Sequence, residues 1–398
     1  MLINEYKLRA NKSQQAAIDE AIRVTQFVRN KALRLWMDGR GISQYDMQAL
    51  CVQLAKDYPF AARLNSMARQ AAADRAWQSV ARFYKNCHEQ KPGKKGFPRF
   101  QKDNRSVEYK TSGWRLEPDG KRLTFTDGHN IGTVRLMGTR SIETFPTKQI
   151  KRVRLVKRAD GLYVQFAVQA DRRIAHQPTD KAIGIDVGLK AFYTDSDGAT
   201  VANPRYLRQA EKRLKRLQRR VSKKQKRSKN RKKAIRRLAK QHLKVQRQRK
   251  DFVAKAASAL CTSHDVIAFE DLNIAGLVKN HHLAKSIHDA SWGQFLSWVR
   301  YYGELHGIPL IAVPARFTTQ DCSGCGLRVQ KSLSVRTHVC PGCGLVLDRD
   351  HNAALNILEL ALRTAGHAGT GRSSERQNAS GQMNLYPVPA MASGKLAG

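Results

Sequence analysis

Hydrophobic and polar positions change period several times along the chain, and each change marks an element. Residues 3–9 (INEYKLR) alternate in the manner of a strand. The polar run from Asn11 to Gln15 offers capping side chains for a helix over AAIDEAIRVTQFVRNKALRLW, and helical spacing continues to about Asn86. The segment KPGKKGFPRF (91–100) breaks that spacing with two glycines and two prolines and predicts a basic loop. From about 106 to 172 the pattern returns to strands. KRLTFT and TVRLMG flank a turn at Asp127-Gly128, and KRVRLVKR and LYVQFAVQ flank another at Asp160-Gly161. The first part of the chain therefore reads as a helical insert carried on a small β-barrel-like domain.

A second region opens with AIGIDVGLKAFYTDSDGATV (182–201), an apolar strand containing one acid followed by more β pattern around Asp195 to Gly198. Leu207, Leu214, Leu217 and Val221 then recur at helical spacing, and Ile235, Leu238, Val245 and Phe252 do so again beyond the polar stretch SKKQKRSKN. Two helices in a hairpin result, each with a narrow apolar seam and a wide basic face. Strand DVIAFE (265–270), an amphipathic helix around WGQFLSWVRYYGELHG, strand IPLIAVPA (308–315), a cysteine segment and helix NAALNILELAL (352–362) complete the alternation of an α/β domain. From about Gly366 the sequence is rich in Gly, Ser, Ala and Asn without periodicity, which predicts a disordered tail. No internal repeat interrupts this order.

Length and charge narrow the class. At 398 residues the chain has room for two or three domains, and 41% hydrophobic residues set it apart from disordered sequences. Lysine plus arginine is 72 against 32 acids, a net charge of +40, so a polyanion is the expected partner. Residues 211–250 carry 21 of those cations and one acid, Glu211. A run without compensating acids that keeps helical periodicity favours a phosphate-binding surface over a solvated face, with Arg219, Arg220, Lys223 and Lys224 as representative contacts. No window approaches 18 consecutive apolar residues, and MLINEYKLRANKSQQ lacks the apolar stretch of a signal peptide. A soluble, intracellular protein with no membrane partner is expected.

Two groups of residues carry chemistry. CSGC (322–325) and CPGC (340–343) are separated by 14 residues, and four sulfurs in two such turns suit one structural, tetrahedral Zn²⁺ held by Cys322, Cys325, Cys340 and Cys343. A disulfide pair or a redox C-x-x-C is disfavoured by the reducing setting and by the duplication. Cys51, Cys87 and Cys261 stand alone as ordinary thiols. Three acids interrupt or end apolar elements, where a carboxylate is costly unless paired or metal-bound. Asp186 lies inside AIGIDVG, Glu270 ends DVIAFE and Asp350 starts the helix HNAALNI. Each alone reads as a capping or salt-bridged carboxylate. Together they predict convergence on two Mg²⁺ or Mn²⁺ ions and hydrolysis of a phosphodiester. Asp348 competes for the third role, and helix-start geometry favours Asp350. His281 and His282 read as surface residues.

The order GIDVG, FEDL, HLAKSIHDASWGQF, TTQDCSGCG with CPGCG, and DRDHNAALNI, preceded by YKLRANKSQQ, FVRNKAL and KKGFPRF, resembles the TnpB family over roughly residues 5–362. These are transposon-encoded RNA-guided DNA nucleases that look ancestral to type V CRISPR effectors. The resemblance implies a wedge-type β-barrel domain (1–10 and 100–175) with a helical recognition lobe and basic loop (11–99). It also implies a RuvC-like nuclease domain of RNase H-like α/β fold (180–317 and 348–365), an inserted zinc ribbon (318–347) and a disordered tail (366–398). By motif, Asp186, Glu270 and Asp350 fall on the family's first, second and third acids, and their completeness argues against the nuclease-dead RNA-guided repressors. TTQ (318–320) stands where members often have TSQ, a change expected to be harmless. The implied partners are a guide RNA from the end of the mobile element, one protein chain per RNA, and double-stranded DNA beside a short target-adjacent motif, met in a prokaryotic cytoplasm at the nucleoid. A heteroduplex held through its backbone would account for the charge. Motif readers would then lie in the helical lobe, where Ser66 and Gln70 of NSMARQAAADRAW (65–77) could reach base edges. The alternatives are a DNA-strand transposase and a non-catalytic RNA-guided or zinc-ribbon DNA-binding regulator.

Overall fold

In the computed structural model, which describes residues 1–138, 142–332 and 334–366, the chain divides after Asp171 into two units. The predicted tail lies, from residue 367 on, outside the described residues. The first unit opens with strand β1 (Leu2–Arg9) and helices α1 (Lys12–Asp38), α2 (Gln44–Asp57), α3 (Pro59–Ala62) and α4 (Ser66–His88). Asn11 starts α1 as its sequence requires: its side chain accepts from the Gln14 amide at 2.8 Å while the Gln14 side chain accepts from the Asn11 amide at 3.0 Å. Alanines at 68, 72 and 76 recur every fourth residue on α4 and are buried, so a smooth face packs against Ile18, Ile22 and Val28 of α1.

Strands β2 (Ser106–Tyr109), β3 (Trp114–Leu116), β4 (Arg122–Phe125), β5 (Gly132–Met137), β6 (Ile150–Arg158) and β7 (Gly161–Val168) follow. With β1 they form a seven-stranded antiparallel sheet, ordered β2-β6-β7-β1-β5-β4-β3. Both turns read from the sequence join adjacent strands, β4 to β5 and β6 to β7. Arg75 of α4 reaches the buried Glu108 of β2, which also accepts from Arg152 and Arg154 of β6, so one carboxylate ties helix to sheet.

The second unit carries β8 (Ala182–Val187), β9 (Ala191–Asp195), β10 (Thr200–Ala202), α5 (Tyr206–Ser222), α6 (Lys229–Ser263), β11 (Val266–Glu270), α7 (Ile274–Leu277) and α8 (His281–Ala290). Then come α9 (Trp292–His306), β12 (Leu310–Val313), β13 (Thr337–Val339), β14 (Val346–Asp348) and α10 (Arg349–Thr364). Its five-stranded sheet is ordered β10-β9-β8-β11-β12, with β8, β11 and β12 parallel and β9 and β10 antiparallel. Strand β12 is shorter than the apolar run 308–315 because prolines 309 and 314 flank it and cannot donate to a ladder. The predicted helix at 352–362 starts three residues earlier, at Arg349. No helix among the described residues is long and apolar enough to cross a membrane.

Two-residue alternation sorts the parallel strands onto two faces. Ile183, Ile185, Ile267 and Phe269 pack with Val253 and Ala257 of α6 and Phe295 and Val299 of α9. Ala268, Ile311 and Val313 turn the other way, onto Ile357 and Ala361 of α10. Gly184 belongs to that second face: a Cβ there would stand 2.3 Å from the Ala354 carbonyl oxygen and 2.8 Å from Leu358 Cβ. Contact with a fixed helix backbone leaves no room for a methyl group. Gly184→Ala should therefore push α10 off β8 and cost about 1–3 kcal/mol or more, as overpacking does, read as a lower melting temperature by circular dichroism.

Candidate active site

The same alternation that places Gly184 on the α10 face places Asp186 there, and Glu270 follows Ala268 in the same way. The β8/β11 register pairs Ile185 with Phe269, so Asp186 and Glu270 come next, side by side at the ends of two parallel strands. Helix α10 supplies Asp350 from its first turn. Glu270 and Asp350 are each 9% exposed. The Asp186 carboxyl is pushed well above the ordinary aspartate range, first by burial and then by the charges of Glu270 and Asp350. Burial also raises Glu270, against the Thr318 hydroxyl, which donates to its Oε1 and favours the charged form.

Asp348 and Asp350, which competed in the sequence, have different surroundings. Asp348 is the N-cap of α10: its Oδ1 accepts from the amides of Asp350, at 2.8 Å, and His351, at 3.4 Å. Asp350 is instead buried against two guanidiniums, with Arg349 at 2.9 and 3.1 Å from Oδ1 and Arg336 at 3.4 Å from Oδ2. The three acids thus share one buried face without sharing one point. Among the described residues only the four paired cysteines bring three or more candidate ligand atoms within 4.8 Å of one another. Carboxylates placed so that two of them raise the pKa of the third, and offering only hard oxygen donors, fit a divalent cation, which would remove the repulsion.

Four residues around these acids were not foreseen: Thr318, Asn352, Asn356 and Arg336. A signal was present for two of them, because Asn352 and Asn356 stand four apart on a helix face otherwise made of Ala353, Ile357 and Ala361. Both side chains are buried and hydrogen-bonded. Asn356 donates to the Thr318 and Asp321 carbonyls at 2.8 and 2.6 Å. Asn352 donates to the Asp321 carbonyl at 2.8 Å and accepts from the Ser323 amide at 2.9 Å.

The cysteine segment consists of two equivalent turns. The Cys322 amide donates to Leu327 and the Gly326 amide to Cys322, and the second turn repeats this with Cys340, Leu345 and Gly344. All four Sγ atoms lie within 4.8 Å of one another, with Cys322 and Cys343 at 3.6 Å and Cys325 and Cys340 at 3.5 Å. Those separations exceed a disulfide bond of about 2.05 Å, and the seven cysteines are free. Desolvation opposes it, yet the Cys343 and Gly342 amides draw the Cys340 thiol down to about 6. Although the Leu345 amide favours its thiolate, Cys343 is pushed up to about 12, chiefly by Cys325. Four sulfurs this close cannot all ionise without a cation, and such a set can hold a metal ion. Burial pushes the isolated Cys51 and Cys261 thiols up to about 11 and 12, which suits inert core residues.

The basic hairpin is anchored at one buried acid. Asp289 of α8 accepts from the Leu207 and Arg208 amides at 2.8 and 3.0 Å, capping α5 from a distance, and from the Arg249 guanidinium of α6 at 2.9 Å. Arg231 closes the turn by donating to the Val221 carbonyl at 2.7 Å. Leu214, Val221 and Val245 form the predicted seam, but Ile235 is 45% exposed because on α6 the seam runs through the half-buried Ala234 and Leu238 and the buried Gln241 instead. Arg219, Arg220, Lys223 and Lys224 are exposed, and a groove of about 490 Å³ runs past Arg220, Lys224, Lys233 and Arg237. In the first unit, Ser66 is exposed and Gln70 half-buried on α4. His281 and His282 are exposed at the start of α8.

Comparison with known proteins bears on this arrangement. Residues 165–281 match the family model OrfB_IS605, described as a probable transposase, and residues 292–357 match the Cas12f1-like TNB domain. A Streptomyces pristinaespiralis protein named as an RNA-guided DNA endonuclease is 36% identical over 54% of each chain. InsQ of Escherichia coli, named likewise, is 26% identical over 73% of each, and the TnpB-like protein L79 of a mimivirus is 25% identical over 50% of this chain and 41% of its own. Over these stretches the chain is similar to TnpB-like proteins. It spans about half the length of the Streptomyces and mimivirus relatives. A solved Cas12f1–sgRNA–target DNA complex is 14% identical, with a TM-score of 0.34 over 90% of this chain and 99% of that one. A CRISPR-Cas12f ternary complex is 16% identical, with a TM-score of 0.36 over 86% and 80%.

The raised Asp186 pKa has a defined sign. Its folded form holds a proton more tightly than the unfolded chain, so stability is greatest below the ordinary aspartate pKa of about 3.9 and falls as pH rises above it. Asp186→Asn should raise the melting temperature of metal-free protein by a few degrees at pH 7.5 and leave it unchanged near pH 3.5. Added Mg²⁺ should stabilise the wild type at pH 7.5 and the variant much less, by differential scanning fluorimetry.

Proposed function

We propose that this chain is the RNA-guided DNA endonuclease of a transposable element, cleaving target DNA beside a short target-adjacent motif by two-metal-ion hydrolysis. The observation that carries this reading is that Asp186 and Glu270 stand side by side at adjacent strand ends under α10, whose first turn carries Asp350, with both other acids opposing the charge of Asp186. On this reading residues 180–317 and 348–365 are the RuvC-like nuclease domain and 318–347 the zinc ribbon. Residues 1–10 and 100–175 are the wedge domain, and 11–99 the recognition lobe, with Ser66 and Gln70 as motif readers. The protein would act with one guide RNA per chain in a prokaryotic cytoplasm, at the nucleoid. One Zn²⁺ on Cys322, Cys325, Cys340 and Cys343 would be structural, since no ligand position is left open.

Asp186, whose charge both other acids oppose, would together with Glu270 and Asp350 hold two Mg²⁺ or Mn²⁺ ions. Ions held there supply an activated water and neutralise the leaving oxygen of the phosphodiester. Arg336 and Arg349 balance Asp350 until that charge is met by cations. The hairpin's exposed lysines and arginines would hold phosphates without reading sequence.

Sequencing the RNA that co-purifies with the protein tests the proposal first: one discrete guide species is expected, and random fragments would remove it. Cut target without joined ends would further separate it from strand transfer by a transposase. Asp350→Ala should then abolish cleavage with guide and target binding nearly intact. Asp348→Ala, which removes only a helix cap, should cost about 0.5–2 kcal/mol of stability and keep cutting. The converse pattern would assign the wrong acid.

Replacing Arg219, Arg220, Lys223 and Lys224 together by glutamine should flatten the slope of log affinity against log salt by about 0.7–0.9 for each phosphate that the hairpin no longer neutralises. Filter binding over a salt series reads this directly.

A further inference from the structure

We propose that Thr318 is a positioning residue of the acidic centre, its hydroxyl fixing the Glu270 carboxylate while Asn352 and Asn356 hold Thr318 and the first cysteine turn to the helix that bears Asp350. The inference rests on the reading of Glu270 as a carboxylate of the nuclease centre. Its ground is a continuous set of buried hydrogen bonds. Thr318 is 3% exposed and donates from Oγ1 to Glu270 Oε1. The Thr318 main chain is held at its carbonyl by the Asn356 amide, 2.8 Å away. Three residues on, the Asp321 carbonyl receives both Asn356, at 2.6 Å, and Asn352, at 2.8 Å. Asn352 also accepts from the Ser323 amide inside the Cys322–Cys325 turn.

This places two of the three acids on one support. Asp350 lies two residues before Asn352 on α10, and Glu270, on a different element, reaches the same helix through Thr318 and Asn356. A free glutamate side chain has three rotatable bonds. A threonine hydroxyl at a fixed backbone position removes most of that freedom and orients one oxygen, leaving Oε2 for a cation. The cysteine turn enters as the far end of the same segment: Ser323 docks on Asn352, so the ribbon and the acid are seated by one pair of asparagines. Loss of a group that orients a metal ligand typically costs 10–100-fold in metal affinity or activity.

The test uses the full-length protein and Mn²⁺ as probe. In Thr318→Val, which keeps the side-chain shape, Mn²⁺ binding followed by electron paramagnetic resonance should weaken by about 10–100-fold, with the half-saturating Mg²⁺ for cleavage raised in parallel. Zinc content should be unchanged, and Thr318→Ser should restore both values. If Thr318→Val does not fold, Thr318→Ala poses the same question by removing the hydroxyl without inserting a methyl group in its place. Wild-type Mn²⁺ affinity and cleavage in the hydroxyl-free variant, with Glu270→Gln losing both, would overturn the positioning role and leave the nuclease reading intact. Glu270→Gln that binds Mn²⁺ and cuts like wild type would overturn the reading of the centre, and this inference with it. Failure of Thr318→Ser to restore binding would also count against the hydroxyl.

Discussion

The approach of α10 to β8 at Gly184 is the constraint on which the rest of the second unit depends. A helix that lies with a backbone carbonyl within 2.3 Å of where a Cβ would stand has its height and position over the sheet fixed by that contact. Ala354, Ile357 and Ala361 can then fill the shallow face between the strands, and Asp350, one turn before Ala354, comes to the edge where β8 and β11 end. Any larger residue at 184 would lift the helix and carry one of the three acids away from the other two.

That placement is bought with electrostatic strain. Carboxylates that share a buried face oppose one another's ionisation, and the protein relieves each one differently. Asp350 has two arginines and Glu270 a hydroxyl, whereas Asp186 is eased only by the charge of Arg349 and is raised well above the ordinary aspartate range. On the proposed reading, bound cations would stabilise a centre arranged in this way, which would couple metal binding to folding through the same three side chains.

The basic hairpin solves a different problem, that of keeping a highly charged surface from repelling itself apart. Its seam buries few apolar side chains, and Asp289 supplies what the seam does not, by capping α5 and pairing with Arg249 at once. Removing one partner of such a buried pair typically costs about 3–5 kcal/mol, more than exposed ion pairs return. The cations that project from the hairpin are therefore carried by one internal acid.

Much of this was legible in the pattern of residues, because period and spacing are local. Alternation at 182–187 and 265–270 identified the strands that carry Asp186 and Glu270, and the two C-x-x-C turns identified the ligand set of the ribbon, each from a few adjacent residues. The helical insert and its strands followed from changes of period in the same way. Proximity between distant segments was not legible. Asp348 and Asp350 are equivalent in sequence, and only the start of α10 made one a cap and the other a buried acid. Thr318 carried no signal of its own within TTQ until the fold set its hydroxyl on Glu270, 48 residues away. Hydrogen bonds between segments so far apart depend on how helix and sheet pack, and packing leaves no periodic trace in the chain.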